Sequence, residues 1–134
     1  MAIKDVNNLS LFNYFDGVVL KEKIVPLTIS TGVVTVDPLF GTNISVDLPA
    51  ADFTINLINA PANDNEVINI SVVVTQSATG RKPTAFQIEA VAQTLKWISN
   101  ITPTATNSKI DIFSFTLIRQ SGSWTVLGQA SLNF

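Results

Sequence analysis

From Val25 onward, hydrophobic and polar residues alternate with a period of two. Leu27 and Ile29, then Val34 and Val36, alternate with Thr28, Ser30 and Thr35 on either side of Thr31-Gly32. An X-Gly pair between two such runs marks a two-residue turn, so this stretch predicts a hairpin with one buried face. Asp37-Pro38 ends the second run, because proline has no N–H for a ladder. Gly41-Thr-Asn43 turns the chain into Ile44, Val46 and Leu48, and Pro49-Ala-Ala-Asp52 turns it into Phe53, Ile55 and Leu57. Residues 60–65 read as a loop. The run from Val67 to Thr75 predicts the most buried strand, since Val72-Val-Val74 is apolar on both faces.

Beyond a polar tip at residues 76–83, Phe86, Ile88 and Ala90 resume the alternation, and Leu95-Lys-Trp97 forms a short strand. A Thr/Asn/Pro loop spans residues 101–108. A long strand follows, carrying Ile110 and Ile112 in one phase and Phe113, Phe115 and Leu117 in a shifted one. Gln120-Ser-Gly-Ser123 is a hairpin turn into Trp124, Val126 and Leu127. Turn signals every 8 to 12 residues suggest two packed sheets or a barrel. The predicted fold is all-β: an antiparallel, jelly-roll-like β-sandwich over residues 25–134. Helical periodicity is confined to residues 5–15, with a weaker trace over 85–95.

Residues 1–24 break the pattern. Leu9, Leu11, Phe12, Tyr14 and Phe15 cluster apolar area among Asn7, Asn8 and Ser10, and Lys21-Glu-Lys23 is the densest charge run. So many rings are costly to leave in water. The segment is therefore either a first element packed on its own domain or an N-terminal arm that docks on a neighbour through Leu11, Phe12, Tyr14 and Phe15.

Composition sharpens this. Charged residues are 13% of 134, about half the roughly 25% of a typical soluble domain, while 46% are hydrophobic. Interface cores are depleted in charge, so an obligate assembly is expected. A formal net charge of −2 argues against nucleic-acid and anionic-membrane partners. No apolar run approaches the ~20 residues of a membrane helix.

The chain has no His and no Cys. This excludes a Ser-His-Asp triad, thiol nucleophiles, and thiolate or imidazole metal sites. No Walker loop, dinucleotide fingerprint or calcium loop is present. Asp37, Asp47, Asp52, Asp64 and Asp111 leave a carboxylate pair conceivable. All but Asp111 lie beside turn residues or strand ends, where Asp commonly accepts backbone N–H bonds. Trp97 and Trp124 could stack on sugars but sit among aliphatic residues, as core rings do. Arg81-Lys82, at a loop tip, could meet an acidic partner. The expectation is a non-enzyme without metal or cofactor.

Several segments also occur in a familiar order: Gly32-Val-Val-Thr-Val-Asp37, Phe53-Thr-Ile-Asn-Leu57, Ile70 to Thr75 followed by Gln76-Ser-Ala-Thr-Gly80, Leu95-Lys-Trp97, Ile110-Asp-Ile-Phe-Ser-Phe115, Gly122-Ser-Trp124 and Asn133-Phe134. In that order, from about Thr31 to the last residue, the chain resembles a β-rich virion structural module of tailed bacteriophages. It departs from that pattern at Arg81, where a second Gly is usual, and near Gln87, where a Trp-Pro element is usual. The resemblance implies a virion location, a structural role and a homotrimer. A chain this short leaves no room for a fibre shaft, so the expected role is a capsid decoration or cement protein bound to the major capsid protein. A tail-fibre, collar or baseplate attachment module is the alternative, and a lectin-like carbohydrate-binding module the second.

Overall fold

Alternation decides which side of each strand is dry, and pairing decides where that side points. The computed structural model describes residues 22–134. The expectations for Leu11, Phe12, Tyr14 and Phe15, and for the rest of segment 1–21, lie outside the described residues. Ten strands form among the described residues: β1 (Ile24–Pro26), β2 (Val33–Val36), β3 (Asn43–Asp47), β4 (Phe53–Leu57), β5 (Glu66–Thr75), β6 (Pro83–Ile88), β7 (Val91–Gln93), β8 (Leu95–Trp97), β9 (Ile110–Gln120) and β10 (Ser123–Ser131). They make a six-stranded sheet, β1-β3-β5-β9-β10-β8, and a four-stranded sheet, β2-β4-β6-β7.

The first six strands alternate between the two sheets. Each strand therefore pairs with the next but one in sequence, and β1, β3 and β5 lie parallel in one sheet while β2, β4 and β6 lie parallel in the other. The chain winds around a shared core, then closes it with the antiparallel pairs β5–β9, β9–β10 and β6–β7 and the parallel pair β8–β10. Five of the eight pairings among the described residues are parallel, which corrects the expectation of an antiparallel jelly roll. The cause is local. The links at 27–32, 37–42, 48–52, 58–65 and 76–82 carry the chain across the core to the other sheet instead of back along the same one.

The Thr31-Gly32 turn shows this. Both residues are left-handed (φ 49° and 79°), and Ser30 and Val33 exchange two backbone hydrogen bonds of 2.9 Å, as a type I′ turn requires. Pairing stops at that single bridge, so the expected hairpin is a corner between sheets. Ser121-Gly122 (φ 50° and 74°) is a true hairpin turn, joining β9 to β10.

Core residues come from both sheets. Val34, Val36, Phe53, Ile55, Leu57, Phe86 and Ile88 on the smaller one are buried against Ile44, Val46, Ile70, Val72, Val74, Phe113, Phe115, Leu117 and Val126 on the larger. Each such side chain contributes about 1.5–3 kcal/mol by leaving water. Phe86 meets Phe115 across the layers at 5.3 Å between centroids. On β9 the buried phase is odd-numbered throughout, from Asp111 to Leu117, so Ile110 and Ile112 face outward. Leu48 does not continue the buried phase of β3. It is left-handed (φ 47°) and exposed.

Ala90 also departs from the pattern. The chain reverses at Glu89-Ala90, both left-handed (φ 50° and 64°), and residues 85–95 contain strands β6 and β7, with no helix. Three bonds hold this glycine-free turn: Glu89 N–H to the Leu57 carbonyl (2.8 Å), Ala90 N–H to Asn56 Oδ1 (2.9 Å), and Ala60 N–H to Glu89 Oε1 (2.9 Å). A left-handed alanine costs about 1–2 kcal/mol. Ala90→Gly is therefore expected to stabilise the fold by about 0.5–1 kcal/mol, read as a higher denaturation midpoint with an unchanged m-value.

Candidate assembly surfaces and a buried polar clamp

The polar residues singled out in the sequence mostly serve the fold. Asp111 occupies a core-facing position at the start of β9 and is fully buried. Its Oδ2 accepts hydrogen bonds from Gln76 Nε2 (2.9 Å) and Thr106 N–H (2.7 Å), and its Oδ1 accepts one from Asn133 N–H (3.0 Å). Gln76, also buried, donates to the Arg81 carbonyl (2.7 Å) and accepts from Arg81 N–H (2.8 Å). One carboxylate thus clamps the 76–82 link, the 101–109 loop and the C-terminus. Gly80 sits where these loops touch, and a Cβ there would lie 2.7 Å from the Ala105 carbonyl group. The sequence marked residues 76–83 as a polar tip, yet Gln76 and Pro83 at its ends are buried.

Asp37, Asp52 and Asp64 accept N–H bonds from Leu39 (2.9 Å), Lys82 (3.0 Å) and Gly122 (2.9 Å), the work of turn aspartates. No three acidic side chains converge into a metal-holding group among the described residues. Lys82 Nζ donates to the Pro103 carbonyl (2.9 Å), and Arg81 is half-buried, its Nε without a hydrogen-bond partner among the described residues. Both residues, expected from sequence to meet a partner, also take part in the loop packing and stay half-buried. The two indoles are likewise engaged. Trp97 packs against Phe115 and Phe113 (5.8 and 6.4 Å between centroids) and over Gly128, and the Arg119 guanidinium stands 5.5 Å from the Trp124 ring. Both indoles are half-buried.

Two surfaces stand out instead. The first is the end of the stack formed by edge strands β1 and β2. A cleft of ≈ 520 Å³ runs between residues 26–32 and 45–52, and a second of ≈ 300 Å³ is lined by Val25, Leu27, Thr35, Phe40 and Ile44. Leu39 and Phe40, on the β2–β3 link, are 78% and 73% exposed beside them, and Leu48 is 62% exposed. Such apolar side chains gain nothing from water; Leu39 and Phe40 precede β3 and Leu48 follows it, so they flank that edge region toward opposite ends of the strand.

The second is the outer face of the six-stranded sheet. Its side chains lie in cross-strand rows set by the register. Val73 is opposite Ile112, Ser71 opposite Ser114, Asn69 opposite Thr116, and Val67 opposite Ile118. The strand positions facing outward include two charged residues, Asp47 at the end of β3 and Lys96 on the edge strand β8. Glu22 joins the margin by accepting a hydrogen bond from Asn43 Nδ2. The outer face of the four-stranded sheet is also uncharged but carries small or polar residues, with Thr35 opposite Asn56 and Thr54 opposite Ala85. Sequence reasoning registered the shortage of charge. Its location came from the register.

Removing the clamp strands three donors in a dry site at about 1–3 kcal/mol each. Asp111→Ala is expected to destabilise the domain by at least about 3 kcal/mol. Hydrogen exchange should lose protection at Thr106 and Asn133 before the centres of β5 and β9. Against known proteins the chain stands apart: no family model, no curated protein and no solved structure matches it.

Proposed function

We propose that this chain is a structural assembly subunit of a tailed-bacteriophage virion, acting as a capsid decoration or cement protein. The observation that carries the assembly reading is a pair of surfaces: the exposed apolar side chains Leu39, Phe40 and Leu48 flanking β3, and the outer face of the larger sheet, whose charged strand positions among the described residues are Asp47 and Lys96. A subunit that bridges neighbours needs two contact surfaces, one for its own kind and one for the lattice it reinforces. The virion assignment rests on the sequence resemblance, which also favours a homotrimer and the major capsid protein as partner. The two packed sheets fit a sandwich-like module, and the engaged Trp97 and Trp124 rings do not favour the lectin alternative.

The mechanism is additive. Each bound subunit buries apolar area at about 25 cal/mol per Å², less the cost of association. Linked copies bind neighbouring sites with high effective concentration, so modest single contacts become a stable cover. Leu39 and Phe40 are the side chains expected to enter the lattice, because they project from a link between sheets and contribute little to the core.

Particles lacking the protein should release DNA at lower temperature or under osmotic shock, and adding it back should restore them. Phe40→Asp should leave the isolated domain's stability within about 0.5 kcal/mol of wild type, as a surface change does, and lower particle binding at least tenfold. Normal shell stability with lost host adsorption would move the protein to a tail-fibre, collar or baseplate role.

A further inference from the structure

The outer face of the larger sheet has a pattern that restricts what can cover it. On β5 and β9 it runs aliphatic, small polar, aliphatic, while β10 presents Thr125, Leu127, Gln129 and Ser131 and β3 presents Asn43, Ser45 and Asp47. Val73 and Ile112 form one flank, Val67 and Ile118 the other, and the Ser71–Ser114 and Asn69–Thr116 rows lie between. Thr116 Oγ1 donates to Asn69 Oδ1 (3.0 Å), so part of the central polarity is already satisfied within the face. Charge is confined to the margins, at Asp47, Lys96 and Glu22.

We infer that this face is a homotypic two-fold interface, covered by the same face of another copy of this chain; it pairs chains and is separate from the contacts that would close a homotrimer. The first argument is symmetry of pattern. On the central β5–β9 pair the flanks can meet aliphatic to aliphatic whichever way a second copy lies, the self-complementarity of a two-fold contact. The second is charge. An acidic chain meeting itself is penalised wherever like charges oppose, and this face has none at its centre, whereas a partner selected by charge would find nothing to complement. The third is size. β5, β9 and β10 are ten, eleven and nine residues long. With β3 and the short edges added, at about 3.4 Å per residue and about 4.8 Å per strand, the face covers roughly 700 Å². A standard interface takes about 800 Å² per partner. The smaller sheet's outer face has four strands and lacks the aliphatic flanks, so it serves as an internal control.

The inference rests on the assembly reading, and its test is separate from the particle experiments. Sedimentation of the purified full chain at micromolar concentration should give a mass of at least two 14.4 kDa chains. Ser114→Lys places an ammonium at the centre of the face and should weaken self-association about 100-fold, with the circular dichroism spectrum unchanged. Thr54→Lys, on the outer face of the smaller sheet, should leave the mass as it was. If Ser114→Lys fails to fold, Gln129→Lys, exposed and in the same row, takes its place. A monomeric wild type, an oligomer indifferent to both face variants, or equal dissociation by Thr54→Lys would each overturn the inference. An oligomer that survives the face variants while still binding particles would leave the assembly role standing. Self-association through this face with no particle binding would remove the shell role alone.

Discussion

Three segments with no strand partner of their own meet on one carboxylate. Asp111 points into the core from the second position of β9, and its two oxygens accept hydrogen bonds from Gln76 Nε2, Thr106 N–H and Asn133 N–H. A buried carboxylate is tolerated only when its lone pairs are filled, and here the filling groups are the loops themselves. The clamp sets where β6 begins, how the 101–109 loop lies and where the chain ends. Ile110 and Phe134 then exchange backbone bonds of 3.1 Å beside it. The hydrophobic core provides most of the stability; the clamp limits the chain to one way of closing it.

The winding of the first six strands explains the molecule's surfaces. A parallel, alternating path places the earliest strands, β1 and β2, at the edges of their sheets, and the links flanking β3 leave Leu39, Phe40 and Leu48 exposed. It also places β5 and β9 at the centre of the six-stranded sheet, with their even and odd phases dividing a buried side from a flat outer one. Charge is displaced to links, hairpin tips and margins, where Asp37, Asp52, Asp64 and Lys82 bind backbone groups. Both the exposed apolar links and the uncharged face follow from the same topology.

Much of the local structure was legible. The period-two runs marked β2, β3, β4, β5 and β8, the hairpin turn at Gln120-Ser-Gly-Ser123 was read in place, and the inner phase of Phe53, Ile55 and Leu57 needed no correction. The errors share a cause. Thr31-Gly32 has a hairpin's chemistry but turns a corner between sheets, and nothing within four residues separates the two outcomes. Glu89-Ala90 has no turn residue at all, because its left-handed backbone is held by Asn56 and Leu57 from a strand some thirty positions earlier. Lys82, proposed from sequence as a partner residue, also donates to the Pro103 carbonyl, a contact across loops that no spacing rule anticipates.

By itself the sequence determined that the chain builds strands, which phase of most strands is dry, and that metal-thiolate, imidazole and triad chemistries are unavailable, because these depend on residue type and on a period of two. It also showed that charge is scarce, at 13% of residues. The tertiary structure alone decided that the early strands pair in parallel across two sheets, that Asp111 is a clamp, and that the missing charge is missing from flat sheet faces. Pairing is a relation between distant segments, and alternation looks the same in a strand whether its neighbour runs with it or against it.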